Sequence, residues 1–166
     1  MFRDLGADGI VIGMLRPDGT LDRERMEGLL EERGSMSVTL HRAFDMCKDP
    51  METLAEAKSM GIQTILTSGQ RNTCKEGAEI LAALHRESRE EICIQAGGGI
   101  TPEGIGPLYH QTGICAYHMS AKQKSDSAMT YRNPNVHMGL ADLSEYEIFR
   151  TSKEIVQMGR KVLESL

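Results

Sequence analysis

A histidine, an arginine and an aspartate fall within five residues of one another, directly after a short apolar run. They are His41, Arg42 and Asp45. These residue types can supply an acid–base group, an anion-binding cation and a charge partner for that cation. Period-two alternation places His41 on the strand face opposite Leu40, which turns the imidazole away from a helix layer. We therefore predict that all three are catalytic; the alternative is that Arg42 and Asp45 only pair to hold a loop.

A second histidine, His118, ends a later apolar run, and Ser120 shares its face of the strand. We expect His118 to face His41 across a common opening, which makes His118 a fourth catalytic candidate. Ser120, on the same strand face, is a candidate for ligand binding. The alternative for His118 is a rim or core residue with its bonds satisfied inside the protein. Arg132 lies in the polar stretch of residues 122–138 that follows, and we predict a second anion-binding group there, in a loop over the opening.

Three successive glycines end another run, two residues before a helix start at Pro102. These are Gly97, Gly98 and Gly99, called the glycine loop below. Backbone N–H groups exposed in this way near the positive end of a helix favour anion binding. Ser68 and Gly69 end the preceding run, where small residues let a ligand approach the backbone. We predict that all five bind ligand, and the alternative in both places is a tight turn.

Five short apolar runs recur along the chain, each followed by turn residues and a helical pattern. They cover residues 8–14, 37–41, 63–68, 92–96 and 115–120. This alternation is typical of βαβ units and a parallel sheet, in which function gathers at the carboxyl ends of the strands. Helix starts are marked by Asp49-Pro50, by Thr101-Pro102 and by a capping box from Thr73 to Glu76. A similar box at Ser144 predicts a last helix over residues 145–164.

The fold class predicted is α/β, a single domain over residues 1–166 built as an incomplete TIM (β/α)8 barrel of about five βα units. The chain has 166 residues, whereas a closed barrel needs eight strands and about 200–250 residues. Parallel strands without neighbours expose unpaired backbone groups. We therefore expect self-association through the exposed sheet edges.

Composition excludes several classes of partner and location. The net charge is −5, and the absence of clustered Lys and Arg argues against nucleic acid or an anionic membrane as partner. No apolar run approaches the length of a membrane span. The four cysteines are spread far apart, which fits neither a zinc site nor a disulfide framework. A reduced, cytoplasmic protein is expected, with Cys93 and Cys115 buried in or beside strands as small hydrophobic residues.

The motifs at these strand ends resemble the CutC copper-homeostasis family. The resemblance is carried by residues 6–11, by 18–20 with Asp22, and by 39–45, 65–69, 97–100 and 118–120. It implies a cytosolic, often self-associating TIM barrel linked to copper, in which residues 8–14 would form the fourth strand. The family's first three strands, with the glutamate, arginines and cysteines usually proposed as copper ligands, would then have no counterpart here.

Three functions remain open on these observations. The first is a copper-homeostasis protein that binds copper as Cu(I) through Cys47 and Cys74, since thiolates select that ion and both residues follow neighbouring runs. The second is an enzyme acting on a small phosphorylated or carboxylated metabolite. The third is an inactive piece that works only with other chains.

Overall fold

The computed structural model describes residues 3–136, 138 and 144–166. Five parallel strands are β1 Gly9–Ile12, β2 Ser37–Leu40, β3 Thr64–Thr67, β4 Cys93–Gly97 and β5 Ala116–His118. The helices are α1 Arg23–Glu31, α2 Pro50–Ser59, α3 Ala78–Ser88, α4 Pro102–Thr112 and α5 Lys153–Glu164. Two further strands, β6 Lys122–Asp126 and β7 Glu147–Thr151, form a hairpin, and 3₁₀ helices cover Arg3–Leu5 and Arg42–Met46.

The five parallel strands lie side by side in chain order. Each is joined to the next by a crossover containing one of the first four helices, and right-handed crossovers keep those helices on one side of the sheet. The sheet is therefore α/β and of the TIM-barrel type, as predicted. Within the described residues β1 and β5 are not paired with each other, so the barrel is not closed. The carboxyl ends of β1 to β5 form one edge, called the mouth below.

Alternate residues of the strands build the core on the helix side. Val38, Leu40 and Ile65 are fully buried and join helix residues such as Leu81 in one hydrophobic cluster. Burying a side chain of this size contributes about 1.5–3 kcal/mol. The other face, called the open face below, is less covered, and Val11 of β1 is 63% exposed there. This division leaves the open face and the mouth accessible to a ligand or another chain.

Two of the four predicted helix starts are confirmed in their hydrogen bonds. Asp49 Oδ1 accepts from the N–H groups of Met51 and Glu52, and Thr101 Oγ1 accepts from that of Gly104 at 3.2 Å. The box at Thr73 is also present, because Thr73 and Glu76 exchange two bonds of 3.3 Å. Its regular helix begins two residues beyond the box, at Ala78.

The predicted helix over residues 145–164 is wrong in its first third. Residues 147–151 form β7, which pairs antiparallel with β6, and the helix begins only at Lys153 after an N-cap at Ser152. The β-favouring Ile148 and Phe149 suit a strand, and Lys122 and Lys124 of β6 lie over the Phe149 ring at 5.9 and 5.6 Å. Residues 122–126 of the polar stretch therefore form one strand of a hairpin, whereas the segment around Arg132, predicted as a loop over the mouth, belongs to neither strand. Residues 137 and 139–143 of that region lie outside the described residues.

The prediction that Cys93 and Cys115 are buried is also wrong, because both are exposed. Cys93 alternates with the buried Ile94 and so lies on the open face. A closed barrel would cover that face with side chains from other strands. The exposure of Cys93 thus follows from the open sheet.

The helices are short. They run from 9 residues in α1 to 12 in α5, whereas a helix needs about 20 apolar residues to cross a bilayer. Within the described ranges, none is long and apolar enough to do so.

Candidate anion-binding site at the mouth

The Asp45 carboxylate accepts hydrogen bonds from several residues at the mouth. It lies in the 3₁₀ helix that follows β2, and its side chain is only 8% exposed. Its carboxylate accepts from Thr67 Oγ1 at 2.5 Å, from Ser68 N at 3.0 Å and from Gln70 N at 3.1 Å. The loop after β3 is therefore tied to the loop after β2 through a single carboxylate.

The guanidinium of Arg42 is oriented by two of these residues. Its Nε donates to Asp45 Oδ2 at 2.6 Å, and its Nη2 donates to Ser68 Oγ at 2.8 Å. Nη1 has no partner among the described residues and lies 3.5 Å from the place where a Cβ on Gly98 would stand. The Arg42 side chain is 46% exposed, whereas its charge partner Asp45 is nearly covered. The positive member of the pair thus faces the mouth.

The glycine loop lies beside this cation. Gly98 and Gly99 adopt φ angles of 135° and 69°, which other residues rarely adopt. The Gly98 carbonyl accepts from Cys74 N at 2.9 Å, but within the described part of the chain no acceptor takes the N–H of Gly98 or Gly99. A Cβ on Gly98 would also meet Ser68 Cβ at 3.0 Å. The glycine loop thus carries two unused N–H groups, and Arg42 Nη1 lies beside Gly98, a set of donors suited to an anion.

The two histidines are at the same edge but not at the same place. His41 follows β2, and its ring lies against Gly13 at the end of β1; His118 ends β5 and is paired with Gly97 of β4. Both positions belong to the open face by alternation. Three strand spacings of about 4.8 Å separate β2 from β5, or roughly 14 Å along the sheet. The two imidazoles therefore project from backbone positions roughly 14 Å apart, and His118 is the one nearer to the glycine loop.

Three other predicted ligand-binding residues make different contacts. Gly69 adopts a φ of 74°, and a Cβ there would stand 2.3 Å from the Gly77 carbonyl oxygen, so its role is a close turn. Ser120 lines a cavity of about 340 Å³ between α4, α5 and the start of β6. Arg132 pairs with Asp126 at 2.9 Å and lies over the Tyr146 ring at 4.3 Å. None of these contacts joins Ser120 or Arg132 to the glycine loop.

The proposed copper ligands Cys47 and Cys74 are buried thiols. Burial raises the pKa of Cys47, and burial with the nearby Asp45 carboxylate raises the pKa of Cys74 to about 11. Gln70 Nε2 lies 3.3 Å from the Cys47 sulfur, in hydrogen-bond contact. Metal binding needs the thiolate, and both environments favour the protonated form. No group of three or more His, Cys, Asp or Glu side chains in the described residues is arranged to hold a metal ion.

Sequence reasoning missed three residues that shape the site. Thr67 and Gln70 donate to Asp45, and Gly13 makes room for the His41 ring, since a Cβ there would be 2.7 Å from the ring atoms. Thr67 was predictable in part, because a threonine in a buried apolar run needs a hydrogen-bond partner. Nothing in the local pattern links Gly13 to a residue 28 positions later.

Comparison with known proteins gives a consistent family. The CutC family profile matches residues 1–123. A CutC family protein of Mesorhizobium japonicum is 42% identical over 155 residues, which is 93% of this chain and 60% of the relative. A CutC family protein of Bacteroides thetaiotaomicron is 40% identical over 89% of this chain and 59% of its own length. The chain thus spans about 60% of the length of these relatives.

A solved structure agrees with these sequence matches. The crystal structure described as the copper homeostasis protein CutC of Streptococcus agalactiae superposes with a TM-score of 0.67 and 28% identity, covering 70% of this chain and 57% of that protein. By sequence and by fold, this chain belongs to the CutC family.

Proposed function

We propose that this chain serves copper homeostasis, the process named for its streptococcal relative, through a mouth that binds a small phosphorylated or carboxylated ligand. One observation carries the anion part of the proposal: Gly98 and Gly99 have unused N–H groups, and Arg42 Nη1 lies beside Gly98. Oriented donors of this kind bind anionic oxygens through charge-assisted hydrogen bonds. Asp45 holds Arg42 in place from a nearly covered position, so the guanidinium and not the carboxylate is the group exposed to a ligand.

Isothermal titration of the chain with inorganic phosphate tests the anion site. Removing a charged hydrogen-bond donor costs about 1.5–3 kcal/mol, so Arg42→Ala should weaken phosphate binding by about 10- to 100-fold. Arg86→Ala is the matched control, because it removes the same charge from the last turn of α3, at the other end of the sheet. Equal affinity of the wild-type and Arg42→Ala proteins would show that the mouth is not the anion site.

Direct Cu(I) binding through Cys47 and Cys74 remains the alternative, and we expect it to be weak. Cu(I) binding requires two buried thiols to lose their protons, and the raised pKa of each makes that loss unfavourable. Competition against a colourimetric Cu(I) chelator measures the affinity. A tight one-to-one complex that disappears in the Cys47→Ser, Cys74→Ser double variant would favour copper as the direct ligand.

Self-association is the second part of the proposal. β1 and β5 each pair on one side only among the described strands, and Val11 is exposed on the open face of β1. Unpaired parallel edges pair readily with another chain. Sedimentation velocity over a range of concentrations should detect dimers or larger species, and Val11→Lys should weaken them. A monodisperse monomer with no binding of a hydrophobic dye would contradict the proposal. The cytoplasmic location stays a prediction.

A further inference from the structure

The imidazole of His41 is held by a backbone N–H group. Ala43 N donates to His41 Nδ1 at 3.1 Å, in the first turn of the 3₁₀ helix that His41 caps. A backbone N–H can only donate, so Nδ1 must be the unprotonated nitrogen of the neutral ring. The proton of that ring is then on Nε2.

Gly13 determines where the ring can lie. A Cβ at this position would stand 2.7 Å from both Cε1 and Nδ1 of His41, closer than real contacts allow. The imidazole thus occupies space that any other residue at position 13 would fill. The pairing of β1 with β2 keeps the two residues adjacent, because His41 N donates to Ile12 O at 3.0 Å.

We infer that His41 is a fixed Nε2–H donor of the mouth and that Gly13 is its positioning residue. Nε2 has no partner within the described part of the chain, and the residue is half-buried on the open face. Its neutral form can therefore donate a hydrogen bond to a ligand oxygen, whereas the Nδ1 lone pair is already used by Ala43.

This geometry narrows the ligand class, and that step rests on the proposed function. β2 and β4 are two strand spacings apart, so the backbones at His41 and at the glycine loop are roughly 10 Å apart. Inorganic phosphate bound at the loop cannot reach so far. The ligand carries, besides its phosphate or carboxylate, a carbonyl or hydroxyl oxygen several ångströms away that accepts from Nε2.

Nitrogen-15 NMR of the ring nitrogens in the full chain tests the tautomer without any ligand. At about pH 8.5, where an ordinary histidine is neutral, His41 should show an unprotonated Nδ1 and a protonated Nε2, with its signals assigned by their loss in His41→Asn. Gly13→Ala should abolish this pattern. Gly28→Ala is the control, since a Cβ there meets nothing within 4 Å. A proton on Nδ1, or an averaged pair of tautomers in the wild type, would overturn the inference.

Two probes test the ligand class separately: inorganic phosphate and a hexose 6-phosphate. His41→Asn should weaken the hexose phosphate by about tenfold, the effect of one hydrogen bond, and leave inorganic phosphate unchanged. Asparagine can still accept from Ala43 N, so the cap survives. Equal effects on both probes would refute the role of Nε2. If the wild type binds neither probe, the proposed anion site fails, while the NMR result still decides the tautomer.

Discussion

Replacing Asp45 with alanine should destabilise the protein far more than replacing its ion-pair partner. Thr67 Oγ1 and Ser68 N would lose their acceptor, and both residues are 0% exposed, so water cannot replace the carboxylate. Each buried donor left unpaired costs about 1–3 kcal/mol, which gives about 4 kcal/mol for the two. Arg42 is half exposed, so the ion pair itself is worth about 1 kcal/mol or less. Arg42→Ala should therefore cost about a quarter as much as Asp45→Ala.

Thermal and denaturant unfolding of the two variants measure this difference. In a chain of this size 1 kcal/mol shifts Tm by about 2–4 °C, so Asp45→Ala should lower Tm by roughly 8–16 °C and Arg42→Ala by a few degrees. Asp18→Ala is the control carboxylate, because Asp18 accepts from Thr20 in an exposed turn; it should shift Tm much less. Equal losses from Asp45→Ala and Arg42→Ala would mean that the ion pair, and not the buried donors, holds the mouth together.

Three further predictions concern the thiols and the last helix. A thiol reagent should label Cys93 and Cys115 in the folded protein and react with Cys47 and Cys74 only on unfolding. Mass spectrometry counts the labelled cysteines, and fast labelling of all four would contradict the burial of Cys47 and Cys74. The pKa of Cys74 is raised to about 11 in the folded protein from an ordinary 9, so its contribution to stability is complete below pH 9 and is lost as pH rises to 11. Cys74→Ala should therefore flatten the dependence of the unfolding free energy on pH between these values. Ser152→Ala removes the N-cap of α5 and should cost about 1 kcal/mol in urea unfolding, whereas no loss would show that the helix does not begin there.

The parallel sheet was predictable because its strands are short apolar runs separated by helices with strong N-terminal signals. Asp49 and Thr101 cap their helices through their own side chains, within three residues of sequence. Such local signals survive in any tertiary context. The hairpin of β6 and β7 has no comparable local signal, because all five residues of β6 are exposed and polar. Its pairing joins residues more than 20 positions apart, and neither strand shows the alternation that marks a buried face.

The candidate site was predictable in its residue types and less so in its contacts. Arg42, Ser68 and the glycine loop follow three neighbouring strands, and parallel strands bring their carboxyl ends to one edge. The sequence could not show that Asp45 accepts from Thr67 at the end of β3, since that contact spans 22 positions. It equally could not show that Arg132 is engaged by Asp126 and Tyr146. Side-chain partners across loops depend on tertiary packing, which a local pattern does not contain.

The amide resonances of Gly98 and Gly99 give the most direct test of the anion site. During a titration of the full chain with inorganic phosphate, proton–nitrogen correlation spectra should show these two N–H signals shifting with saturation, because a bound anion would accept their unused hydrogen bonds. The same titration of Arg42→Ala should need about 10- to 100-fold more phosphate. Shifts confined to other residues, or two glycine signals that stay fixed while phosphate binds elsewhere, would contradict an anion site at the mouth.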